Sequence, residues 1–295
     1  MSNTSISSAK VEVERIVAFI RNFVMDEERV VVPVSGGIDS DIVARLCCKS
    51  LGNQRVKLCM VIQSDMEDKF VDNARTLAND LGISLSEIHL EAANSNLIKA
   101  LEDGEQEKIF HADRLLDPGK AKCSIRSAVI SSYQDKGFLI AGTTNRSEKE
   151  LGFFMTFGDN LAHFKPIAHL YKSQLNEIAR VIGTRHEVIE QDPSSGFWSG
   201  QTDLEDLAYW IVNDGPVLLA RDFSEAEILR AEEIKKHLTF EKIDRVLFMY
   251  ASKSDENMLH SQSELPCEIV NGLIHIVEKS KVLKNRNIMV ELPKL

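Results

Sequence analysis

No run of this sequence is long and apolar enough to cross a membrane. The opening MSNTSISSAK is polar and leads into a charged amphipathic segment, so no signal peptide is expected either. Positive charge is in deficit: 35 Lys and Arg stand against 45 Asp and Glu, the formal net charge is -10, and the cations are scattered singly. Such a field repels polyanions and argues against broad nucleic-acid binding. The 5 cysteines are odd in number and include no C-x-x-C pair, which disfavours a disulfide framework or a zinc site and leaves buried thiols as the plain reading. Among the histidines, His163 and His169 stand six apart, off a common helix face, and H-E-x-x-H is absent, so no structural transition metal is expected. The kinase-type phosphate loop G-x-x-x-x-G-K-[ST] is missing too, because Gly119-Lys120 is followed by Ala121. What remains is a soluble, cytoplasmic composition of 295 residues, 43% hydrophobic and 27% charged, able to bury a sizeable core.

Apolar runs bounded by turn residues alternate with helical patterns, the mark of β-α-β units and a parallel sheet. Residues 30–34 read as a first strand, 40–51 as a helix ended by Gly52, and 56–62 (VKLCMVI) as a second strand. A helix follows over 68–81, closed by Gly82, then a weaker third strand over 84–90, a helix over 122–134 and a fourth strand over 138–141. Pro33 has no donor for a ladder, so it belongs near the end of its strand. A further helix covers 172–182, stopped by Gly183; residues 191–206 read as a long loop of the kind that forms lids, and 102-EDGEQE-107 as a solvated loop. From Ser224, a plausible N-cap, the pattern is helical to the C-terminus.

The segment 35-SGGIDS-40 leaves the first strand and opens the next helix. Backbone amides converge at such a turn, the helix dipole adds positive potential, and glycines let phosphates approach without a Cβ in the way. Ser35 and Ser40 can add hydroxyl donors. Asp39 would repel phosphate unless a divalent cation lies between them, so its presence predicts magnesium. Two glycines alone would suit a plain strand-helix junction; the full S-G-G-x-D-S string is more specific.

This string resembles the PP-loop of the ATP pyrophosphatases, which split ATP between its α and β phosphates. Three further stretches, 142-GTTNRSEKELGFFMTFGDN-160, 165-KPIAHLYKSQLNEIARVIG-183 and 193-PSSGFWSGQTDLEDL-207, are similar in kind and order to motifs of the ammonia-dependent NAD synthetases, over residues 12–210. The resemblance implies a doubly wound parallel α/β sheet of the adenine nucleotide α-hydrolase type, with residues 1–210 as the PP-loop domain and 211–295 as a helical C-terminal portion of it. It implies that Ser35, Gly36, Gly37, Asp39 and Ser40 bind the phosphates of ATP, that Asp39 and Glu148 share magnesium, and that Thr143, Lys172, Arg126, Ser194 and Ser195 also face the nucleotide. Asp39, Glu148 and Lys172 would carry the catalysis. Taken singly, Glu148 and Lys172 read as surface charges and Thr143 as a turn residue; together with the glycine turn they do not.

The implied reaction adenylates a carboxylate, by default that of deamido-NAD, releases pyrophosphate, and lets ammonia displace AMP to form an amide. No room is expected for a glutaminase domain, so ammonia is free or comes from a separate donor, and a homodimer is the family's habit. Three positions where the family holds the dinucleotide differ: Ser124 replaces an arginine, Thr156 a lysine and His163 an aspartate, and the family's C-terminal His-Lys pair is not evident. A relative acting on another carboxylate is therefore the alternative. An RNA-modifying PP-loop enzyme is a more distant one, opposed by the charge of -10 and the lack of a C-x-x-C pair. A non-enzymatic ATP-binding module would leave Glu148, Lys172 and the P-S…G-Q-T-D loop without purpose.

Overall fold

The structure, a computed structural model, describes residues 3–285 except 64–65, 91, 156–157, 159, 197 and 219. The strands are β1 (Arg29–Pro33), β2 (Val56–Ile62), β3 (Leu85–His89) and β4 (Phe138–Ile140). The helices, in chain order, are α1 (Asn3–Phe23), α2 (Ile38–Leu51), α3 (Asp68–Leu81), α4 (Ala93–Gly104), α5 (Leu116–Ser131), α6 (Arg146–Leu151), α7 (Lys172–Ile182) and α8 (His186–Ile189). They continue with α9 (Asp203–Val212), α10 (Glu225–His237), α11 (Phe240–Ala251), α12 (Glu256–Gln262) and α13 (Cys267–Asn285).

All strand pairs are parallel, in the order β3-β2-β1-β4. Alternate residues of one strand serve opposite faces. Val30 and Val32 pack with Leu58 and Met60 against α1, α2, α3 and α7, whereas Val31 and Cys59 pack against Ile130 of α5. Helices on both sides make the sheet doubly wound, which is why VVV and LCMV are continuous apolar runs instead of alternating ones. Pro33 is the last residue of β1. The Val34 N–H donates to the Cys59 carbonyl, so the missing Pro33 donor faces β4, whose pairing has already ended at Val31 with Ile140.

The chain winds outward from β1 through β2 to β3 and then returns to the other side of β1 as β4. That reversal opens a crevice at the carboxyl ends of β1 and β4, the usual ligand position in such sheets. The glycine turn follows β1 and Gly142-Thr143-Thr144-Asn145 follows β4, so both segments flank the crevice.

A second core gathers Leu207, Ala208 and Ile211 of α9 with α10, α11 and α13, and takes in Leu151 of α6 and Tyr171. Position 210, where the sequence suggests a division, falls inside α9. Helix α5 begins at Leu116, earlier than 122, because Pro118 lies in its first turn, where no N–H is needed. The loop expected over 191–206 ends at Thr202, whose hydroxyl accepts from the Glu205 N–H and caps α9. The first residues of the acidic patch at 102 belong to α4. No helix among the described residues is long and apolar enough to cross a membrane.

Candidate active site

The turn after β1 is shaped by glycine for two reasons. Gly36 has φ +79°, and a Cβ there would lie 2.1 Å from the carbonyl oxygen of Phe70 on α3. Gly37 caps α2 in extended conformation with no side-chain partner, so the first-turn amides of α2 are left for an external acceptor. The serines divide their work. Ser40, 2% exposed, accepts from the Ser35 N–H at 3.1 Å and donates to the Gly37 carbonyl at 3.0 Å, so its hydroxyl braces the turn. Ser35, Gly37 and Asp39 line a cavity of about 1070 Å³, whereas Gly36 and Ser40 shape the turn behind its wall.

Asp39, in the first turn of α2, meets residues from two other elements. Its Oδ1 accepts from Asn145 Nδ2 at 2.8 Å, and its Oδ2 accepts from the Lys172 ammonium. Lys172 opens α7, and its side chain is 8% exposed against 16% for Asp39. Glu148 lies in the first turn of α6, where Asn145 and Glu148 form a reciprocal cap: the Glu148 N–H donates to Asn145 Oδ1 at 3.0 Å and the Asn145 N–H to Glu148 Oε2 at 3.1 Å. Asn145 thus uses its amide oxygen to cap α6 and its amide nitrogen to hold Asp39, a division that an ionised aspartate, which only accepts, could not make.

The charges here are crowded. Burial pushes the Glu148 carboxyl well above its ordinary range, with Asp39 and Asp203 adding to the shift and Lys172 opposing it. Asp203 is raised for the same first reason, burial, again helped by Asp39. Burial works against the Lys172 ammonium, but Asp39, Glu148 and Asp203 outweigh it and hold its pKa above the usual lysine value. Asp206, one turn further along α9, is raised by burial and by Asp203 to about 7. Three carboxylates therefore surround one ammonium, an excess of negative charge that suits a divalent cation and the phosphates it would accompany.

The other expected residues fall around the same cavity. Thr143 lines it beside β4, and Ser194 and Ser195 line it from the 191–202 loop. Arg126 on α5 donates to Gln63 Oε1 at 2.8 Å and to the Gly196 carbonyl at 3.2 Å, which ties that loop to the sheet side. Asn73 Nδ2 reaches both the Gly36 carbonyl at 3.1 Å and Gln191 Oε1 at 2.8 Å, joining the loop to the glycine turn.

Two members of the cluster were not assigned from sequence. Asp203 closes the G-Q-T-D string and accepts from Ser195 Oγ at 3.3 Å. Asn145 stands in the G-T-T-N string. For Asp203 the T-x-x-E spacing of Thr202 and Glu205 was the available signal, since it marks a helix start at the cavity and not a loop.

The divergent positions have other occupations. Ser124 donates to the Lys120 carbonyl at 3.3 Å within α5, and it is Lys120, one turn earlier, that lines the cavity. His163 Nδ1 accepts from the Ile140 N–H at 2.9 Å and serves the outer edge of β4. Thr156 lies outside the described residues. The far end of the cavity is aromatic, with Phe153 stacked on Trp210 at 4.2 Å and Tyr209 edge-on to Phe223 at 4.8 Å. Although the histidines lack ligand spacing in sequence, Glu102, His111 and Asp113 bring three ligand atoms within 4.8 Å of one another, in a separate group from Asp39 and Glu148.

A profile of the NAD synthase family matches residues 12–238. The chain belongs to the NAD synthase family. An NH3-dependent NAD+ synthetase from Methanocaldococcus jannaschii is 30% identical over 272 residues, which cover 91% of this chain and 92% of that one. Among solved structures, the NMN synthetase of Francisella tularensis superposes with a TM-score of 0.72 at 19% identity, covering 97% of this chain and 99% of the other. The NH3-dependent NAD synthetase of Campylobacter jejuni superposes with a TM-score of 0.67 at 22% identity and the same coverage. These likenesses agree with the doubly wound fold expected for the family. Membership also sets aside the RNA-modifying reading.

Proposed function

We propose that this NAD synthase family member is an ATP-dependent, ammonia-using amide ligase that converts deamido-NAD to NAD. The observation that carries the proposal is the meeting of Asp39, Glu148 and Lys172 at the head of α2, on the wall of the cavity of about 1070 Å³, with the buried Asn145 bonded to both carboxylates. The relatives' recorded activity supports deamido-NAD as the acceptor over another carboxylate.

In this reading the triphosphate of ATP lies over the glycine turn, where the first-turn amides of α2 and the Lys172 ammonium face its charge. A carboxylate oxygen of deamido-NAD attacks the α-phosphorus, the bond to the β-phosphate bridge oxygen breaks, and pyrophosphate leaves. Ammonia then adds to the acyl carbon, AMP departs, and the proton surplus passes to solvent. No protein nucleophile is needed; the chain orients the groups and stabilises charge. The raised carboxyls of Glu148 and Asp203 fit magnesium, because burial without a cation leaves them poorly able to ionise. Asp39 and Glu148 would hold the ion, which neutralises phosphate charge when bound. Asp203 and the Ser194-Ser195 loop close over the nucleotide, anchored by Arg126.

We further propose a homodimer, supported by the exposed apolar side chains Phe19 and Phe23 beside Phe164, and a cytoplasmic setting, in keeping with the buried thiols of Cys47 and Cys48, which are not joined in a disulfide. The test of the function is NAD formation from deamido-NAD, ATP, magnesium and ammonium. Full activity without glutamine supports it, and Asp39→Asn or Glu148→Gln is expected to lower the rate by about 100-fold or more. Pyrophosphate release with some other carboxylic acid but not with deamido-NAD overturns the acceptor.

A further inference from the structure

We infer that Asp244, on α11 of the C-terminal portion, is a positioning residue for the ligase reaction: its one carboxylate holds the helix that carries Glu148 and the helix that carries Lys172 in a single register.

Asp244 is 4% exposed and sits behind the cavity wall. Its Oδ1 accepts from Ser147 Oγ at 2.5 Å and its Oδ2 accepts from the Ser173 N–H at 2.8 Å. Ser147, fully buried, is the neighbour of Glu148 on α6, and its Oγ in turn accepts from the Lys172 N–H at 2.9 Å. The amides of Lys172 and Ser173 open α7 and have no acceptor within their own helix. A serine or aspartate at position 171 would ordinarily serve the Ser173 donor locally. Here position 171 is Tyr171, whose ring instead lies under the Arg146 guanidinium at 4.4 Å. The cap therefore arrives from α11, 71 residues away along the chain, and negative charge at that end of α7 is favoured by the helix dipole.

The same helix touches the other end of Lys172. Phe240, the first residue of α11, places its ring 5.9 Å from the Lys172 ammonium. The backbone amide and the side-chain charge of Lys172 are thus both referred to α11, and Ser147 carries the reference across to Glu148. An arrangement in which Asp39 meets its lysine while Glu148 stays beside them needs α6 and α7 fixed relative to each other, and Asp244 is the group bonded to both.

This inference rests on the ligase reading of the site. Its test measures kcat and KM for ATP in the full-length protein for Asp244→Asn and Ser147→Ala, singly and combined, together with thermal unfolding. Asparagine keeps the shape and can still accept from Ser173, but the group it turns to Ser147 is a donor, so the Ser147 hydroxyl loses its acceptor and the relay is broken at α6. We expect each single change to lower kcat by about 10- to 100-fold, in the range of small misplacements of catalytic groups. KM for ATP is expected to stay within about threefold. The double variant should be no slower than the slower single, because one relay is broken only once. If Asp244→Asn does not fold, Ser147→Ala alone decides the matter by the same split. A kcat per folded molecule that stays at wild-type level while only the melting temperature falls, or losses that multiply in the double variant, overturns the inference. A wild-type protein that releases no pyrophosphate sinks the ligase reading instead, a result readily told apart from wild-type activity that the variants leave intact.

Discussion

Replacing Asp206 with asparagine is expected to stabilise the ligand-free protein, and to do so in a pH-dependent way. Burial and the neighbouring Asp203 raise the Asp206 carboxyl from 3.8 to about 7. A carboxyl whose pKa is higher in the folded than in the unfolded chain binds protons on folding. Its contribution to stability is complete below 3.8 and is lost as pH rises through about 7. A difference of about 3 at about 1.4 kcal/mol per pH unit gives a penalty of up to about 4 kcal/mol at neutral pH. Because the side chain is not wholly enclosed, about 2 to 4 kcal/mol is the expected range. The neutral amide would carry no such penalty, and its oxygen can still accept from Gln201 Nε2, which reaches Asp206 Oδ2 at 2.6 Å. Thermal unfolding of Asp206→Asn against wild type should show no gain near pH 4. The gain should grow through pH 5 and 6 and level off above pH 7 at about 4 to 8 °C, taking about 2 °C per kcal/mol for a chain of this size. A gain that is the same at pH 4 and pH 8, or none at pH 8, would refute the crowding of carboxylates on which the site's chemistry is argued.

Two other variants probe the same cluster. Lys172→Met leaves Asp39, Glu148 and Asp203 without their ammonium, and the apo protein should lose about 3 to 5 kcal/mol in denaturant unfolding at pH 8. The loss should shrink at pH 5, where the carboxyls can protonate; an equal loss at both pH values would count against the charge argument. Gly36→Ala must place a side chain at positive φ, which costs about 1 to 2 kcal/mol, and against the Phe70 carbonyl. Calorimetry should show ATP affinity falling by about 10-fold or more as α3 and the turn separate, and unchanged affinity would mean that the turn does not bind phosphate.

How much of this could be read from the residues depends on how local each cause is. Strand β2 and helices α3 and α7 begin and end where their apolar periods and closing glycines place them, because Gly82 and Gly183 end helices by their own backbone freedom. The fold and the glycine turn were legible for the same reason. Helix α6, only 6 residues long, was not, since its identity rests on the Asn145–Glu148 cap more than on periodicity. Ser40 reads as a phosphate donor in the string S-G-G-x-D-S, yet its hydroxyl is occupied within the turn, a matter of packing that the string does not encode. Asp203 was readable in principle from its capping pattern. Asp244 was not: it lies 97 residues from Ser147, and nothing near it in sequence marks it out from the other acidic residues of a helix. The family profile runs past residue 210, where the motifs legible in the sequence stop, to residue 238, and the helix bonded to both α6 and α7 begins just beyond it.

The central claim is that the head of α2, with Asp39 and Glu148, receives the phosphates of ATP. A crystal structure with magnesium and a non-hydrolysable ATP analogue tests it most directly. Phosphate oxygens are expected within hydrogen-bond distance of the first-turn amides of α2, with one cation touching both carboxylates. Phosphates bound elsewhere, or a cation held by Glu102, His111 and Asp113 while Asp39 and Glu148 stay apart from it, would contradict the claim.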